Sequence, residues 1–406
     1  MDTIIFLYDF QYILEESKYI KNYNKILIID KQNKNIDTVR KFEHDFQKII
    51  EVNNIFDVDC VENVIKDLVE KESINIHAIL ATFEGVVEVA GALRQRFAIR
   101  GLSEKTTNIL RDKYLMKSEV KKNGILCAEI EEVNSIVAML NFGEKYGYPF
   151  VLKPKSGFGT INTYIINNVD AVPKYKDILE NSGTSFVAES FIKGEEYHCD
   201  SIVVDGDIIF CSVGKYHNNA INTVLGDKMD GTIIFPLINE DSIPSKIKEF
   251  NQRVIKALKI DTSICHLEVF VNDEEVIYFG EIGARVPGGY IGKCIINTHN
   301  INLYKAFIDI EVGNKNIEIA NCTNKYTGIG VFPSAKGEIV EISSEDDYKN
   351  NKELIELKIF NKKGDKISER KSILERTGYF IVEGNSYLEV KNSINNIYNS
   401  YNLILK

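Results

Sequence analysis

The sequence predicts a mixed α/β (α+β) fold: an N-terminal open parallel α/β domain, a strand-rich middle and a C-terminal β-rich segment. Before residue 100, apolar runs "TIIFLY", "KILIID" and "IHAILATF" alternate with amphipathic stretches at 35–51, 61–73 and 85–97, the rhythm of parallel strands and crossover helices. From 149 to 340 strands dominate, with helical patterns near 170–181, 243–258 and 302–312. Beyond 326, short strands mix with a closing amphipathic helix near 386–398, while 104–146 reads as two helices. Four units follow, 1–103, 104–185, 186–325 and 326–406, without internal repeat or low-complexity linker.

The chain has 406 residues, enough for two or three lobes with a sizeable core. Its formal net charge of -10 argues against the broad basic footprint that nucleic acid or an anionic membrane requires, so any bound phosphate must meet locally placed cations. The seven cysteines, at 60, 127, 199, 211, 265, 294 and 322, form no CxxC pair; neither a disulfide framework nor a zinc site is expected, and a reducing cytoplasm fits. The start "MDTIIFLYDF" has too short an apolar run for a signal peptide, and no later run approaches membrane-spanning length. The expectation is a cytoplasmic protein without nucleic-acid or membrane partners. No GxGxxG follows the first strand, so the N-terminal layer reads as scaffold or substrate-binding rather than a dinucleotide site.

The first chemical signal is "YPFVLKPKSGFGTINTYII", residues 148–166. A strand delivers Lys153, Pro154 and Lys155, the turn "SGFGT" follows, and a second strand closes a hairpin. Bare backbone N–H groups in such a tip can wrap a phosphate while a strand lysine supplies charge. A plain solvent-exposed hairpin reads the same way. No Walker loop is present, and "GGYIGKC" at 288–294 has the wrong spacing for one. The second signal is "SFVAESFIKGEEYHCDSIVV", residues 185–204: a strand ending at Glu189, a connector "SFIKG", and a new strand opening with Glu195 and Glu196. Such connectors offer backbone groups to an adenine edge, and a carboxylate just beyond accepts ribose hydroxyls; acidic connector residues are otherwise simply solvated.

The third signal is "SICHLEVFVNDEEVIYFGEIGAR", two strands around "NDEE" that form a hairpin over 264–282. Alternation places His266, Glu268 and Phe270 on one face of the first strand, and Ile277, Phe279 and Glu281 on one face of the second. With Asn272 paired to Glu275, Glu268 opposes Phe279 and His266 opposes Glu281, which makes the two glutamates diagonal neighbours roughly 7–8 Å apart at Cα. Carboxylates so close need cations between them, and two Mg²⁺ ions about 4 Å apart are a common solution in phosphoryl transfer. Arg285, in the glycine turn beyond the strand, would reach the transferred phosphoryl group or the anion it lands on. An exposed acidic hairpin is the plain alternative, although Leu267 and Val269 show that only one face is wet.

Together these pieces resemble the ATP-grasp superfamily, in its carboxylate–amine (L-amino-acid) ligase branch, over nearly the whole chain. The likeness begins with "LATFEGVVEVAGALRQRFAIRGLSEKTTNILRDKYLMKSEVKKNGI" at 80–125 and continues through the lysine hairpin, the acidic connector and "HLEVF…GEIGARVPGG". It closes with "GEIVEI", "KKGDKI" and "ERTGYFIVEGNSYLEV". The order and spacing of these motifs carry the resemblance, and it implies an ATP-grasp fold. By it, Lys113 and Lys153 match the phosphate-binding lysines, and Ser156, Gly157, Gly159 and Thr160 lie in the flexible lid. Glu189, Ser190, Phe191 and Ile192 match the adenine connector, and Glu196 the ribose carboxylate. Glu268 and Glu281 match the magnesium ligands, Arg285 the arginine that steadies an acyl phosphate, and Lys215 a further phosphate cation. His266 either positions substrate or packs, with packing preferred, and Gly288 and Gly289 border the substrate. Gly283 stands where many relatives carry Asn, the usual third metal ligand; we read it as a subfamily mark.

The chemistry implied is ADP-forming ligation. A small-molecule carboxylic acid, of amino-acid type, takes the γ-phosphoryl group of ATP with Lys153 and Arg285 as catalytic groups, and an amine then displaces phosphate. Two Mg²⁺ ions are expected, with Mn²⁺ as a substitute, and a homodimer is compatible. A carrier-protein thiol as acceptor, a bicarbonate-activating carboxylase without a biotin-attachment segment, and a non-catalytic nucleotide-binding regulator are the alternatives.

Overall fold

In a computed structural model of the chain, the described residues are 1–8, 10–32, 39–225, 228–236, 242–320, 322–367 and 376–406. Strands β1 (Thr3–Leu7), β2 (Asn24–Asp30), β3 (Lys48–Val52) and β4 (Ile76–Ala81) form a parallel sheet in the order β3-β2-β1-β4. Every residue of β1 is buried, as expected of a strand covered on both faces. Helices α1 (Gln11–Ser17), α2 (Val58–Glu72) and α3 (Val87–Arg96) belong to this layer. The expected helix over 35–51 is corrected in part: residues 43–45 form a single 3₁₀ turn and 48–52 the strand β3, which pairs with β2 from Ile26 opposite Lys48, while 35–38 lie outside the described residues. "KIIEV" carries adjacent β-branched isoleucines at a sheet edge, where polar side chains are tolerated, and pairing with β2 overrides the helical spacing.

Residues 104–146 hold three helices, not two, and a strand: α4 (Glu104–Arg111), α5 (Lys113–Lys122), β5 (Ile130–Val133) and α6 (Ile136–Tyr146). The break comes at Asp112, which leaves the helical conformation at φ -93°, ψ 106° and accepts the N–H groups of Tyr114 and Leu115, both at 3.0 Å. Such a cap stabilises the new helix by about 1 kcal/mol. It also places Lys113 in the first turn of α5, where the backbone itself carries positive potential.

Strand β5 joins β6 (Phe150–Pro154), β7 (Tyr164–Ile166) and β8 (Phe186–Ser190) in an antiparallel sheet ordered β5-β8-β6-β7, followed in chain order by α7 (Lys176–Asn181) from the β7–β8 link. Alternation along β6 sends Phe150 and Leu152 into a core with Met139 and Phe142 of α6, leaving Val151 and Lys153 on the opposite face.

The largest sheet is built from β9 (Glu195–Val204), β10 (Asp207–Tyr216), β11 (Asp230–Ile234), β12 (Ser263–Val271), β13 (Ile277–Gly283) and β14 (Tyr326–Phe332). Of the remaining strands, β16 (Leu354–Ile359) and β18 (Gly378–Gly384) complete its order β13-β12-β9-β10-β11-β14-β18-β16, so it continues across residue 326. A smaller sheet comprises β15 (Gly337–Ile342), β17 (Lys366–Ile367) and β19 (Leu403–Leu405). The helices that accompany the largest sheet are α8 (Ala220–Leu225), α9 (Ile243–Leu258), α10 (Ile291–His299), α11 (Leu303–Glu311) and α12 (Tyr387–Ser400); α8 and α10 carry no expectation from sequence.

The two faces of this sheet fare differently. Tyr197, Cys199 and Leu267 pack beneath Ile247, Phe250 and Val254 of α9. On the other face Ile202 and Ile264 join Ile291, Leu303 and Phe307 of α10 and α11, in a core that also takes in Phe6 and Leu80 of the first sheet. That cover ends before Glu196 and Glu268, and there a cleft opens.

Candidate active site

The cleft lies between the two antiparallel sheets, with β9, β12 and β13 on one side and the β6–β7 hairpin on the other. It brings together Lys113, Lys153, Gly157, Gly159, Thr160, Glu189, Ser190, Phe191, Ile192, Glu196, Glu268 and Glu281. Lys113 reaches Glu281 at 3.3 Å and donates to the Gly157 carbonyl at 3.1 Å; its own backbone N–H bonds the Lys155 carbonyl at 3.0 Å, tying α5 to the hairpin. Lys117, one helical turn after Lys113, and Lys153 both meet Glu189 Oε2, at 2.6 and 3.0 Å. Burial alone would raise the Glu189 carboxyl, yet Lys117 and Lys153 hold it below its ordinary range. Glu189 Oε1 is buried with no partner, an acceptor left free in the cleft wall. Glu196 is buried too, accepting the Ala220 N–H at 2.7 Å, and burial followed by the neighbouring Glu268 pushes its carboxyl up to about 8.

The β12–β13 register differs from the sequence expectation. Glu268 stands directly opposite Glu281 and His266 opposite Gly283, while Val269 pairs with Phe279. Two extra residues account for the shift. The Asn272 N–H donates to the Val276 carbonyl at 3.1 Å while the Asn272 carbonyl accepts from Glu275, which adopts φ 60° and lies within the turn, and Gly280 bulges out of the ladder. A Cβ at Gly280 would lie 2.8 Å from the Glu268 carbonyl oxygen, so only glycine fits. The bulge leaves the two carboxylates facing one another across the ladder. Glu268 accepts from the Tyr216 hydroxyl at 2.8 Å and has His266 Nε2 at 3.4 Å. Behind it Asp200 joins His266 Nδ1 and His198 Nδ1, each at 2.7 Å, and Thr232 meets His198 Nε2 at 2.8 Å. Burial lowers the His266 imidazole, but Asp200 outweighs it and lifts the group to about 9. His266 therefore belongs to a buried polar network that props Glu268, more than mere packing. Glu281 is raised by burial, but Lys113 and Lys153 bring it down to about 2.

A second, much smaller cavity shares Lys113, Glu268 and Glu281 with the first and adds Glu84, Arg111, His266, Gly283 and Arg285. Glu84 bridges two guanidinium groups: its Oε2 meets Arg285 Nε at 2.5 Å and its Oε1 meets Arg111 at 2.6 Å. Against the effect of burial, Arg285 and then Arg111 hold the Glu84 carboxyl below its usual range. A Cβ on Gly283, two residues before Arg285, would make only ordinary contact, 3.4 Å from Arg285 Cγ and Nε.

Three groups of expected residues fall elsewhere. Lys215 pairs with Glu195 at 2.6 Å above the Tyr197 ring, away from the cleft, because strand alternation turns its neighbour Tyr216 toward Glu268 instead. Ser156 is exposed and lines neither cavity, its side chain turned to solvent at the start of the tip. Gly288 and Gly289 also line neither; they form the turn into α10, with Gly289 at φ +61°. Glu84, Arg111, Lys117, Tyr216 and Asp200 went unnoticed in the sequence. Only Lys117 carried a signal, four residues after Lys113 on one helix face.

A glycine-tipped hairpin over a lysine-lined cleft between two antiparallel sheets, with opposed carboxylates on the larger, defines the ATP-grasp fold. Residues 146–294 match the family model described as the ATP-grasp domain, and the chain carries that domain. It is 27% identical over 340 residues to an L-arginine-specific L-amino acid ligase of Bacillus subtilis, covering 82% of this chain and 80% of that protein. It is 24% identical to dapdiamide A synthase of Enterobacter agglomerans, over 56% of this chain and 54% of that one. Among solved structures, an L-amino acid ligase from Bacillus licheniformis superposes with a TM-score of 0.80 at 17% identity, covering 100% of this chain and 99% of the other. A carboxyaminoimidazole ribonucleotide synthase solved with ATP gives a TM-score of 0.70 at 16% identity, covering 98% and 97%.

Proposed function

We propose that this chain is an ATP-dependent, ADP-forming carboxylate–amine ligase, which activates a carboxylic acid of amino-acid type as an acyl phosphate and joins it to an amine. The observation that carries the reading is the junction of the two cavities at Glu268 and Glu281, with lysines on the cleft side and Arg285 on the other. The larger cleft suits a nucleotide: backbone groups of 189–192 for the base, Glu196 for the ribose, Lys113, Lys153 and Lys117 for the phosphates. The smaller cavity suits the acid to be activated.

Glu268 and Glu281 fit hard divalent cations, being opposed carboxylates, Glu281 beside the Lys113 ammonium and Glu268 beside the Tyr216 hydroxyl and His266. Two Mg²⁺ ions, or Mn²⁺ in their place, would neutralise phosphate charge there. The remaining work falls to the chain's own groups. A carboxylate is a poor electrophile because amide formation would expel oxide; accepting a phosphoryl group gives it a good leaving group. Lys113 and Lys153 hold the donor phosphates, and Arg285 steadies the developing anion from the second cavity, so that catalysis is chiefly positioning and charge complementarity. The lid keeps water from the activated acid until the amine attacks.

The test is ADP release screened across amino acids and small acids, followed by mass spectrometry of the products. An acid-dependent burst of ADP with an amide product supports the reading. Acid-independent ADP release, or a product formed only on a carrier-protein thiol, refutes it.

A further inference from the structure

The lid tip is fastened to a part of the chain outside the nucleotide cleft. Phe158 at the tip meets the Phe83 ring edge-on, with centroids 4.9 Å apart, and Phe83 in turn stacks on Tyr8 at 4.6 Å. The Phe83 perch is itself rigidly built. Thr82 donates to the carbonyls of Leu7 and Tyr8 at 2.7 and 2.8 Å, and Gly85 leaves space that a Cβ would lose, 2.9 Å from the Phe83 ring. On the other side of the tip, the Gly157 carbonyl takes Lys113 at 3.1 Å and Arg111 at 3.5 Å. Two residues beyond Phe158, Thr160 sits at φ 58°, a conformation a β-branched residue holds only when its surroundings impose it. The residue after Phe83 is Glu84, the carboxylate that holds both Arg285 and Arg111.

We propose that Phe158 is the latch of the lid: seated on Phe83, it couples closure over the nucleotide to the placement of Glu84, and through it of Arg285, and so seals the second cavity while activated acid is present. This rests on the ligase reading above. Its consequence is a partition. An acyl phosphate meets either the amine, whose nitrogen forms the C–N bond as the carbon–oxygen bond to phosphate breaks, or water, whose oxygen takes the same carbon, releases phosphate and returns the starting acid. The second route consumes ATP and water and yields ADP and phosphate with no amide. Phe158 and Phe83 are thus positioning residues, and their loss appears as wasted ATP.

The experiment compares ADP formed with amide formed in the wild type, Phe158→Ala, Phe83→Ala, the double variant and Phe158→Tyr. The ratio is expected near one in the wild type and about twofold to tenfold higher in either alanine variant, the scale of losing one aromatic pair. The double variant should match Phe83→Ala, which also loses the Tyr8 stack, because the Phe83–Phe158 contact is already gone there. Phe158→Tyr should restore the ratio. An unchanged ratio in both alanine variants of a ligating enzyme overturns the latch. A second arm uses no turnover: cleavage of the 156–163 tip by a nonspecific protease should be faster in both alanine variants than in the wild type, with and without ADP. Equal cleavage rates overturn the latch as well. Absence of any ligated product in the wild type refutes the ligase reading instead, and the cleavage arm then decides the latch alone.

Discussion

Glu196→Gln isolates the most strained charge in the cleft. Folding carries this carboxyl from its ordinary 4.5 to about 8, chiefly through burial and then through Glu268. A group whose pKa rises on folding contributes its full stability below the unfolded value and loses it as pH climbs to the folded one, so the window here is pH 4.5 to 8. At pH 7 the deficit has accumulated over about 2.5 pH units, or about 3 kcal/mol. Glutamine has the same shape, keeps an oxygen for the Ala220 N–H now accepted at 2.7 Å, and carries no charge. The variant without nucleotide should therefore match the wild type near pH 4.5 and exceed it by about 3 kcal/mol at pH 7, read from urea midpoints across the range. Groups such as His266 titrate in both proteins and cancel in the difference. Nucleotide affinity should move the other way, falling about tenfold or more above pH 8, where the wild-type carboxyl is ionised and the ribose hydroxyls would lose a charged acceptor. A stability difference that does not vary with pH, or a variant that is less stable at pH 8, would refute the assignment.

Arg285→Lys should keep the ATP Michaelis constant within a fewfold while turnover falls about a hundredfold, because an ammonium cannot reproduce the directed guanidinium contacts; steady-state kinetics with the reverse pattern would make Arg285 a binding residue only. Glu281→Gln should fold normally and lose turnover by orders of magnitude, and near-normal turnover would sink the paired-carboxylate reading. Tyr216→Phe removes the 2.8 Å bond to Glu268 and should weaken apparent Mg²⁺ affinity about tenfold, measured by titrating Mg²⁺ against ADP formation; an unchanged midpoint would show that Glu268 needs no such support.

Local rules settled much of this protein without coordinates. Period-two alternation was enough to put Glu268 on one face with His266, and glycine spacing was enough to mark the hairpin tip. Acidic residues flanking a short connector marked one wall of the cleft. Those features depend on neighbours a few residues away, and chain stereochemistry dictates them. Pairing across distance obeys no such local rule. Glu84 meets Arg285 across 201 residues, and a lone glutamate after phenylalanine gives no hint of it. The bulge at Gly280 arises from close approach to the Glu268 carbonyl, so a register counted outward from the turn misplaced Glu281. Lys215 looked like a phosphate cation, but sheet order decided which face of β10 borders the cleft, and that face carries Tyr216. The stretch 48–52 became a strand because β2 offered it an edge. Composition and periodicity thus determine which groups can point together along one element; only the packing of elements, where burial makes an unpaired charge costly, decides which of them meet.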